Sequence, residues 1–357
     1  MSTTNNKGNC LLFHGGGLCP LSNLYLSTLA EALRKEEIFD SILMGFFSFE
    51  CLLNPEEFIK TWDGWVKSKA EKAPGGFYGT GRDVDLTNPE LQKIAIENCK
   101  ALGISWIGVA GGDGSCRQVS EISEAFELEG IHLFIPMPLT IDGIEGGFSL
   151  GLEPAVRKSV EVLEDLAATN LMTRDNREFS VLCLETQGRN RDDILAHLLA
   201  YVTNAEQLGG IYLDDIDLFV VPANYPWNKD KLIKAIKGST RRTIVLHSEG
   251  ATNFSVNELQ QTVGRKCRAT KVGYLSQMNT TISEKDQLAV KLTVESSIEF
   301  MKSARNSFSI VFDLNPEAVT RIRVENIDYW GKCNPRRGQK PTMSKDLEKL
   351  LKYYTPN

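Results

Sequence analysis

The sequence predicts an α/β fold built on mainly parallel sheets, and three observations carry that reading. Short apolar runs alternate with amphipathic stretches along most of the chain. Several apolar runs end in glycine turns that lead into helical patterns. The length, 357 residues, suits two domains or one large one. Strands separated by helices imply βαβ crossovers, which gather strand carboxyl ends and helix amino ends on one ligand-binding edge.

The elements follow in order. Asn9 to Phe13 reads as a strand running into His14-Gly15-Gly16-Gly17, and Leu24 to Leu33 has helical apolar spacing. Ser41 to Phe46 is a second strand, Pro89 to Leu102 a helix, and Trp106 to Ala110 a strand ending at Gly111-Gly112. Val119 to Phe126 is helical, and His132 to Ile135 extended. Downstream, helices are expected at Pro154 to Leu166, Asp193 to Tyr201, Lys229 to Ile236, Val256 to Val263 and Leu288 to Ser303. Strands are expected at Phe179 to Leu184, Ile216 to Val221, Thr243 to His247 and Thr270 to Leu275, with Phe308 to Phe312 as the last. The tail from Asp328 is rich in Lys, Arg, Pro and Gly and carries no clear pattern.

Composition excludes several classes. Hydrophobic residues are 42% and charged residues 24%, ordinary for a globular chain. The net charge of −6 gives no electrostatic footprint for nucleic acid or an anionic membrane. The polar start and the lack of a long apolar stretch predict neither a signal peptide nor a membrane span. Eight cysteines without a CxxC pair read as reduced, cytoplasmic thiols. Four histidines without ligand spacing argue against a protein-built metal cage.

The chemistry lies in the glycine turns. Gly111-Gly112-Asp113-Gly114-Ser115 follows a strand and opens a helix, where bare backbone N–H groups and the helix dipole suit phosphate. An aspartate would repel phosphate there unless it holds a hard divalent cation that bridges the phosphates. The bland alternative is a turn with an aspartate cap. Gly15-Gly16-Gly17 is a second such turn, and Gly75-Gly76-Phe77-Tyr78-Gly79-Thr80-Gly81-Arg82 a third that ends in an arginine. Neither the GxxxxGK[ST] phosphate loop nor the GxGxxG fingerprint occurs.

Further strings complete a pattern: Pro138-Leu139-Thr140-Ile141-Asp142, Glu185-Thr186-Gln187-Gly188-Arg189, and Gly264-Arg265-Lys266-Cys267-Arg268-Ala269-Thr270. Together, from about residue 10 to about 315, the set resembles the phosphofructokinase family. The resemblance implies two Rossmann-like αβα domains with an active site in the cleft between them. Residues 1–155 plus about 276–325 would bind the nucleotide, and 156–275 plus the C-terminal segment the acceptor. It implies an ATP-dependent kinase using Mg2+ and acting on a sugar phosphate or sugar-like metabolite. It also implies a cytoplasmic homodimer or homotetramer whose active sites are completed across subunits.

Roles carry over residue by residue. Asp142 would be the general base, and Thr140 would position the attacking hydroxyl. Asp113 would serve the magnesium ion. Gly16 and Arg82 would contact the nucleotide phosphates, with Gly112, Gly114 and Ser115 lining the cradle. Gln187, Gly188, Arg189 and Glu249 would lie against the acceptor, and Arg268 would grip its phosphate. Arg82 and Arg189 would also stabilise charge on the transferred group, as phosphoryl transfer requires. Each has a plainer reading: a loop ion pair for the arginines, a solvated acid for Glu249, a turn former for Asp142.

The departures bear on the acceptor. A second aspartate normally follows Asp142, where this chain has Gly143 and an out-of-register Glu145. Tyr274, Gln277 and Ser180 stand where the family often places a histidine and two arginines. Each lost charge-assisted bond to phosphate costs about 1.5–3 kcal/mol, so an acceptor other than fructose 6-phosphate is expected. Gly114 and Leu139 favour ATP over pyrophosphate as donor. The competing expectations are a weakened nucleotide-binding regulatory protein of the same fold, and a kinase of the wider GGDG group acting on NAD or a lipid.

Overall fold

The computed structural model describes residues 7–72, 76–136, 138–142, 149–171, 181–188, 191–278, 282–303, 306–315, 318–327, 329 and 345–356. Arg189, Ser180, Gly143 and Glu145 lie outside them. The chain divides into two compact units, Met1–Gly151 with Met278–Arg337, and Leu152–Gln277 with Gly338–Asn357.

The first unit is a sheet between helices. Its strands are β1 (Asn9–Gly15), β2 (Ser41–Gly45), β3 (Ile59–Thr61), β4 (Ile104–Gly111), β5 (His132–Ile135), β12 (Phe308–Asn315) and β13 (Ala318–Asn326). Their order is β13-β12-β5-β4-β1-β2-β3, parallel from β12 to β2 and antiparallel at both edges. The central strands are apolar on both faces, as a sheet covered on both sides requires. On one face Leu11, Phe13, Ile107, Val109 and Leu133 pack with α5 (Pro89–Ala101) and α6 (Asp113–Leu128). The other face meets α1 (Ser22–Glu36) and α11 (Glu284–Ser303). There Phe134 lies between Trp106, 6.2 Å away edge-on, and Phe308, stacked at 5.4 Å. Shorter helices are α2 (Glu50–Leu53), α3 (Pro55–Phe58) and α4 (Gly64–Lys72).

The second unit holds a four-stranded parallel sheet in the order β11-β6-β10-β9. These are β6 (Val181–Thr186), β9 (Ile216–Val221), β10 (Arg242–Ser248) and β11 (Cys267–Lys271). Leu182, Leu184, Ile244 and Leu246 face α7 (Leu152–Leu171), α8 (Asp193–Asn204) and α12 (Lys345–Tyr354). Val181, Cys183 and Val245 face α9 (Lys229–Gly238) and α10 (Val256–Val263). Side-chain caps fix the helix starts: Asn88 accepts from Glu90 N–H, Asn228 from Lys231 N–H, and Ser255 from Glu258 N–H. A hairpin, β7 (Gln207–Leu208) to β8 (Ile211–Tyr212), turns on Gly209 and Gly210 at φ 54° and 81°. Two consecutive positive φ values are what a two-residue turn matching strand twist needs.

Two expected elements are corrected. The strand expected at Thr270 to Leu275 runs instead from Cys267 to Lys271, and Gly273–Ser276 is a 3-10 turn. Phe308 to Phe312 is not the last strand: it extends to Asn315 and pairs antiparallel with β13. Cys267 to Lys271 sits on a sheet edge with alternating exposure, so it lacks the apolar run of a central strand.

Phe134→Ala is expected to lower stability by about 3–5 kcal/mol, because the ring is fully buried among aromatics. The urea unfolding midpoint of the two proteins checks this.

Candidate functional site

In the first unit the chain runs from β1 outward to β2, then returns to place β4 on the other side of β1. That reversal opens the sheet's carboxyl edge between β1 and β4, where ligands bind in open α/β sheets. At that edge Gly15 pairs with Gly111. A Cβ on Gly111 would lie 2.6 Å from the Gly15 carbonyl oxygen, and one on Gly15 would lie 2.5 Å from Ser115 Oγ. The absence of side chains lets both turns and the first turn of α6 meet.

α6 begins at Asp113, six residues before the helical pattern becomes legible. Gly114 and Ser115 therefore lie in a first helical turn, whose N–H groups have no partner within the helix. A Cβ on Gly114 would meet nothing within 4 Å. Asp113 is the carboxylate of this turn. Among the described residues no group of three His, Cys, Asp or Glu is arranged to hold a metal ion. The donor set fits a cation held by one carboxylate, with its other ligands from phosphate oxygens and water, the usual habit of Mg2+.

The segment with Thr140 and Asp142 joins the same edge. Leu139 N–H donates to the Gly111 carbonyl at 2.9 Å. Thr140 lies over Gly112, 3.3 Å from where a Cβ would stand. Asp142 N–H donates to Thr140 Oγ1 at 3.3 Å, and Ser149 Oγ donates to the Asp142 carbonyl at 2.7 Å. Burial pushes the neighbouring Cys19 thiol well up, and the charge of Asp142 adds to the shift.

The third glycine loop arrives from the other side. Gly81 N–H donates to the Gly16 carbonyl at 3.3 Å, and a Cβ on Gly17 would run into the Arg82 guanidinium. Gly16, Arg82, Asp113, Thr140 and Asp142 thus gather at one edge of the first unit.

Three residues at this edge had no sequence signal. Phe47 and Ser48 have φ of 62° and 63°, a left-handed pair that costs non-glycine residues about 1–3 kcal/mol each. Ser48 Oγ accepts from Gly16 N–H at 3.3 Å, and Phe47 N–H donates to the Tyr78 carbonyl at 2.8 Å. Phe47 remains 46% exposed and, with Phe49, Phe58, Thr80, Gly81 and Val84, lines a pocket of about 340 Å³. His14, buried at this edge, stands near the backbones of Leu139 and Gly79, and its Nε2 has no hydrogen-bond partner among the described residues.

The second unit gathers a different set at the carboxyl ends of β6 and β10. Glu249 N–H donates to the Thr186 carbonyl at 2.9 Å. Gly188 N–H donates to Glu249 Oε1 at 3.3 Å, and Ser248 Oγ donates to the Gly188 carbonyl at 2.9 Å. Gly188 has φ 120°, and a Cβ there would strike the Arg191 carbonyl. Behind this turn Arg191 Nε pairs with Asp193 Oδ2 at 2.6 Å. Asp192 accepts from Ala223 and Asn224 N–H at 2.8 and 2.9 Å. Tyr274 is 72% exposed on the 3-10 turn after β11.

Arg268 is not brought to this group. It opposes Leu182 near the amino end of β6, five residues before Gln187, or about 16 Å along the strand.

Comparison with known proteins follows the same lines. The sequence model described as "Phosphofructokinase" matches residues 9–299. The ATP-dependent 6-phosphofructokinase of Staphylococcus aureus is 28% identical over 287 residues, 78% of this chain and 81% of the relative. That of Macrococcus caseolyticus is 31% identical over 182 residues, and the match spans about half of either protein, 50% of this chain and 52% of the relative. Among solved structures, the pyrophosphate-dependent phosphofructokinase of Marinobacter aquaeolei aligns with a TM-score of 0.76 at 17% identity, covering 98% of this chain and 92% of that one. Phosphofructokinase of Pichia pastoris in the T-state gives 0.71 at 16%, covering 93% of this chain and 38% of that one. At these identities the structures speak to the fold, which they share.

Two outcomes are expected. Gly114→Ala should stabilise the free protein by about 0.5–1 kcal/mol, as alanine replaces glycine within a helix into open space. The same methyl should obstruct a phosphate at the helix start, so ATP binding should weaken more than tenfold. Thermal unfolding and calorimetric titration read the two effects. Second, burial holds His14 and His247 down to about 4 from the ordinary 6.5. Each binds fewer protons folded than unfolded between those values, so stability is lost as pH falls from 6.5 toward 4. By pH 5 the loss is about 2 kcal/mol per histidine, and His247→Asn should flatten the slope in urea titrations at pH 7 and pH 5.

Proposed function

The chain belongs to the phosphofructokinase family, whose members are kinases that transfer a phosphoryl group to a hydroxyl, and from that premise we propose an ATP-dependent kinase acting on a sugar-like acceptor. One observation carries the reading: Gly16, Arg82, Asp113, Thr140 and Asp142 meet at the carboxyl edge where the strand order of the first unit reverses.

The nucleotide phosphates lie over Gly16, Gly112, Gly114 and Ser115, with Arg82 against the group being transferred. The pocket beside Phe47 takes the nucleoside. Asp113 holds the magnesium ion, which when bound neutralises phosphate charge. Asp142 accepts the proton of the attacking hydroxyl, and Thr140 orients that hydroxyl. Ser149 and Leu139 hold the backbone on either side of Asp142, so the carboxylate is presented by a fixed segment.

Gln187, Gly188, Glu249 and Tyr274, with Arg189, form the acceptor half. The distance of Arg268 from Gln187 supports its contribution from a second copy, in a homodimer or homotetramer. The acceptor differs from fructose 6-phosphate in the amount or placement of its charge, because Gln277 and Tyr274 supply no cation. The site is read as cytoplasmic; among the described residues no helix is long and apolar enough to cross a membrane.

ADP release with Mg-ATP, against a panel of phosphorylated and free sugars and nucleosides, tests the reading. Asp142→Asn is expected to cut kcat by about 10²–10⁴. Ordinary turnover and KM on fructose 6-phosphate would refute the altered acceptor, and unchanged kcat in the variant would refute the base. For Arg268, mixed oligomers of Arg268→Ala and Asp142→Asn should regain activity that neither has alone. No recovery would remove Arg268 from the shared site.

A further inference from the structure

We infer that Ser248 is a positioning residue for the acceptor, acting through the Gly188 turn to fix the Glu249 carboxylate; this rests on reading Glu249 as an acceptor contact. Ser248 ends β10 and is buried, 1% exposed. Its Oγ donates to the Gly188 carbonyl at 2.9 Å and accepts from Gly250 N–H at 3.4 Å. A carbonyl only accepts and a backbone N–H only donates, so both contacts have a settled direction. Among the described residues the single proton of this hydroxyl has one acceptor, the Gly188 carbonyl.

Two consecutive residues at the end of β10 hold both sides of Gly188. Ser248 takes its carbonyl, and Glu249 Oε1 takes its N–H at 3.3 Å. Gly188 has φ 120°, which glycine adopts freely, so the turn depends on hydrogen bonds and not on a side chain for its geometry. The strand ends are also joined beneath it. Ser248 stands opposite Thr186 in register, and Glu249 N–H donates to the Thr186 carbonyl at 2.9 Å. The backbone of Glu249 is therefore set by β6, and one oxygen of its side chain by Gly188. Arg191 N–H is a second donor to the Gly188 carbonyl, at 3.3 Å, so losing the serine loosens the turn without unmaking it.

This ring of contacts has a consequence for recognition. Glu249 is exposed, and a long exposed side chain loses rotamer freedom when a ligand orders it. Holding Oε1 on Gly188 N–H before the acceptor arrives lowers that cost. The other oxygen is then the one presented to a hydroxyl of the acceptor. Ser248 acts at one remove, on the acceptor half alone, because the nucleotide residues belong to the first unit.

The test is a double-mutant cycle on the full chain with Mg-ATP and the best acceptor of the sugar and nucleoside panel. Ser248→Ala should raise the acceptor KM about 3- to 10-fold, the size of one neutral hydrogen bond, with the KM for Mg-ATP unmoved. Ser248→Cys keeps the buried volume with a weaker donor and should give a smaller rise; it carries the measurement if the alanine variant does not fold. Glu249→Ala should raise the acceptor KM at least as much as Ser248→Ala, and the double variant should be no worse than Glu249→Ala alone. A silent Ser248→Ala and Ser248→Cys beside an impaired Glu249→Ala would overturn the inference alone. Additive effects in the cycle, or an equal rise in the KM for Mg-ATP, would do the same. A silent Glu249→Ala, or no turnover across the panel, would overturn the acceptor reading and the inference with it.

Discussion

The close approach of β1 and β4 is the constraint on which the first unit depends. Two parallel strands can end side by side without side chains only if both finish on glycine, and here Gly15 meets Gly111 in register. Any larger residue would separate the strands where the sheet's connectivity changes direction. The bare backbone that remains is also the surface a phosphate needs. Packing and ligand binding are therefore met by the same atoms. Ser115 fits under both turns because neither has a Cβ.

The loops around that edge are held by polar contacts drawn from distant parts of the chain. Gly16 receives Gly81, Ser48 receives Gly16, and Leu139 reaches Gly111. Burial keeps His14 beside them neutral. Such a network keeps three loops in one arrangement before any ligand arrives, which lowers the ordering cost of binding. The left-handed pair Phe47–Ser48 carries backbone strain at the centre of this network, where strain is commonly found in binding sites.

Much of this was legible in the residues. Apolar runs ending in glycine placed β1, β4 and their turns, because central parallel strands are apolar on both faces. The motif around Asp142 was legible because it follows the short apolar run of β5. Other features were not. β11 was placed too late because the apolar run near Leu275 belongs to a turn, while Cys267 to Lys271 alternates at an edge. Phe47 and Ser48 give no sign of positive φ, since neither is a residue that favours it. Arg268 could be recognised from its motif, yet its position at the far end of the strand follows only from the register.

The first unit is interrupted: its sheet is built from residues before Gly151 and from β12 and β13, which follow residue 278. The second unit likewise takes Leu351 from α12 into its core. On a ribosome, neither unit can close until most of the chain has been synthesised. The edge of β5 that awaits β12 stays open while some 170 residues are added, the gap between Ile135 and Phe308. Protection of that apolar edge during synthesis is therefore a requirement set by connectivity rather than by composition.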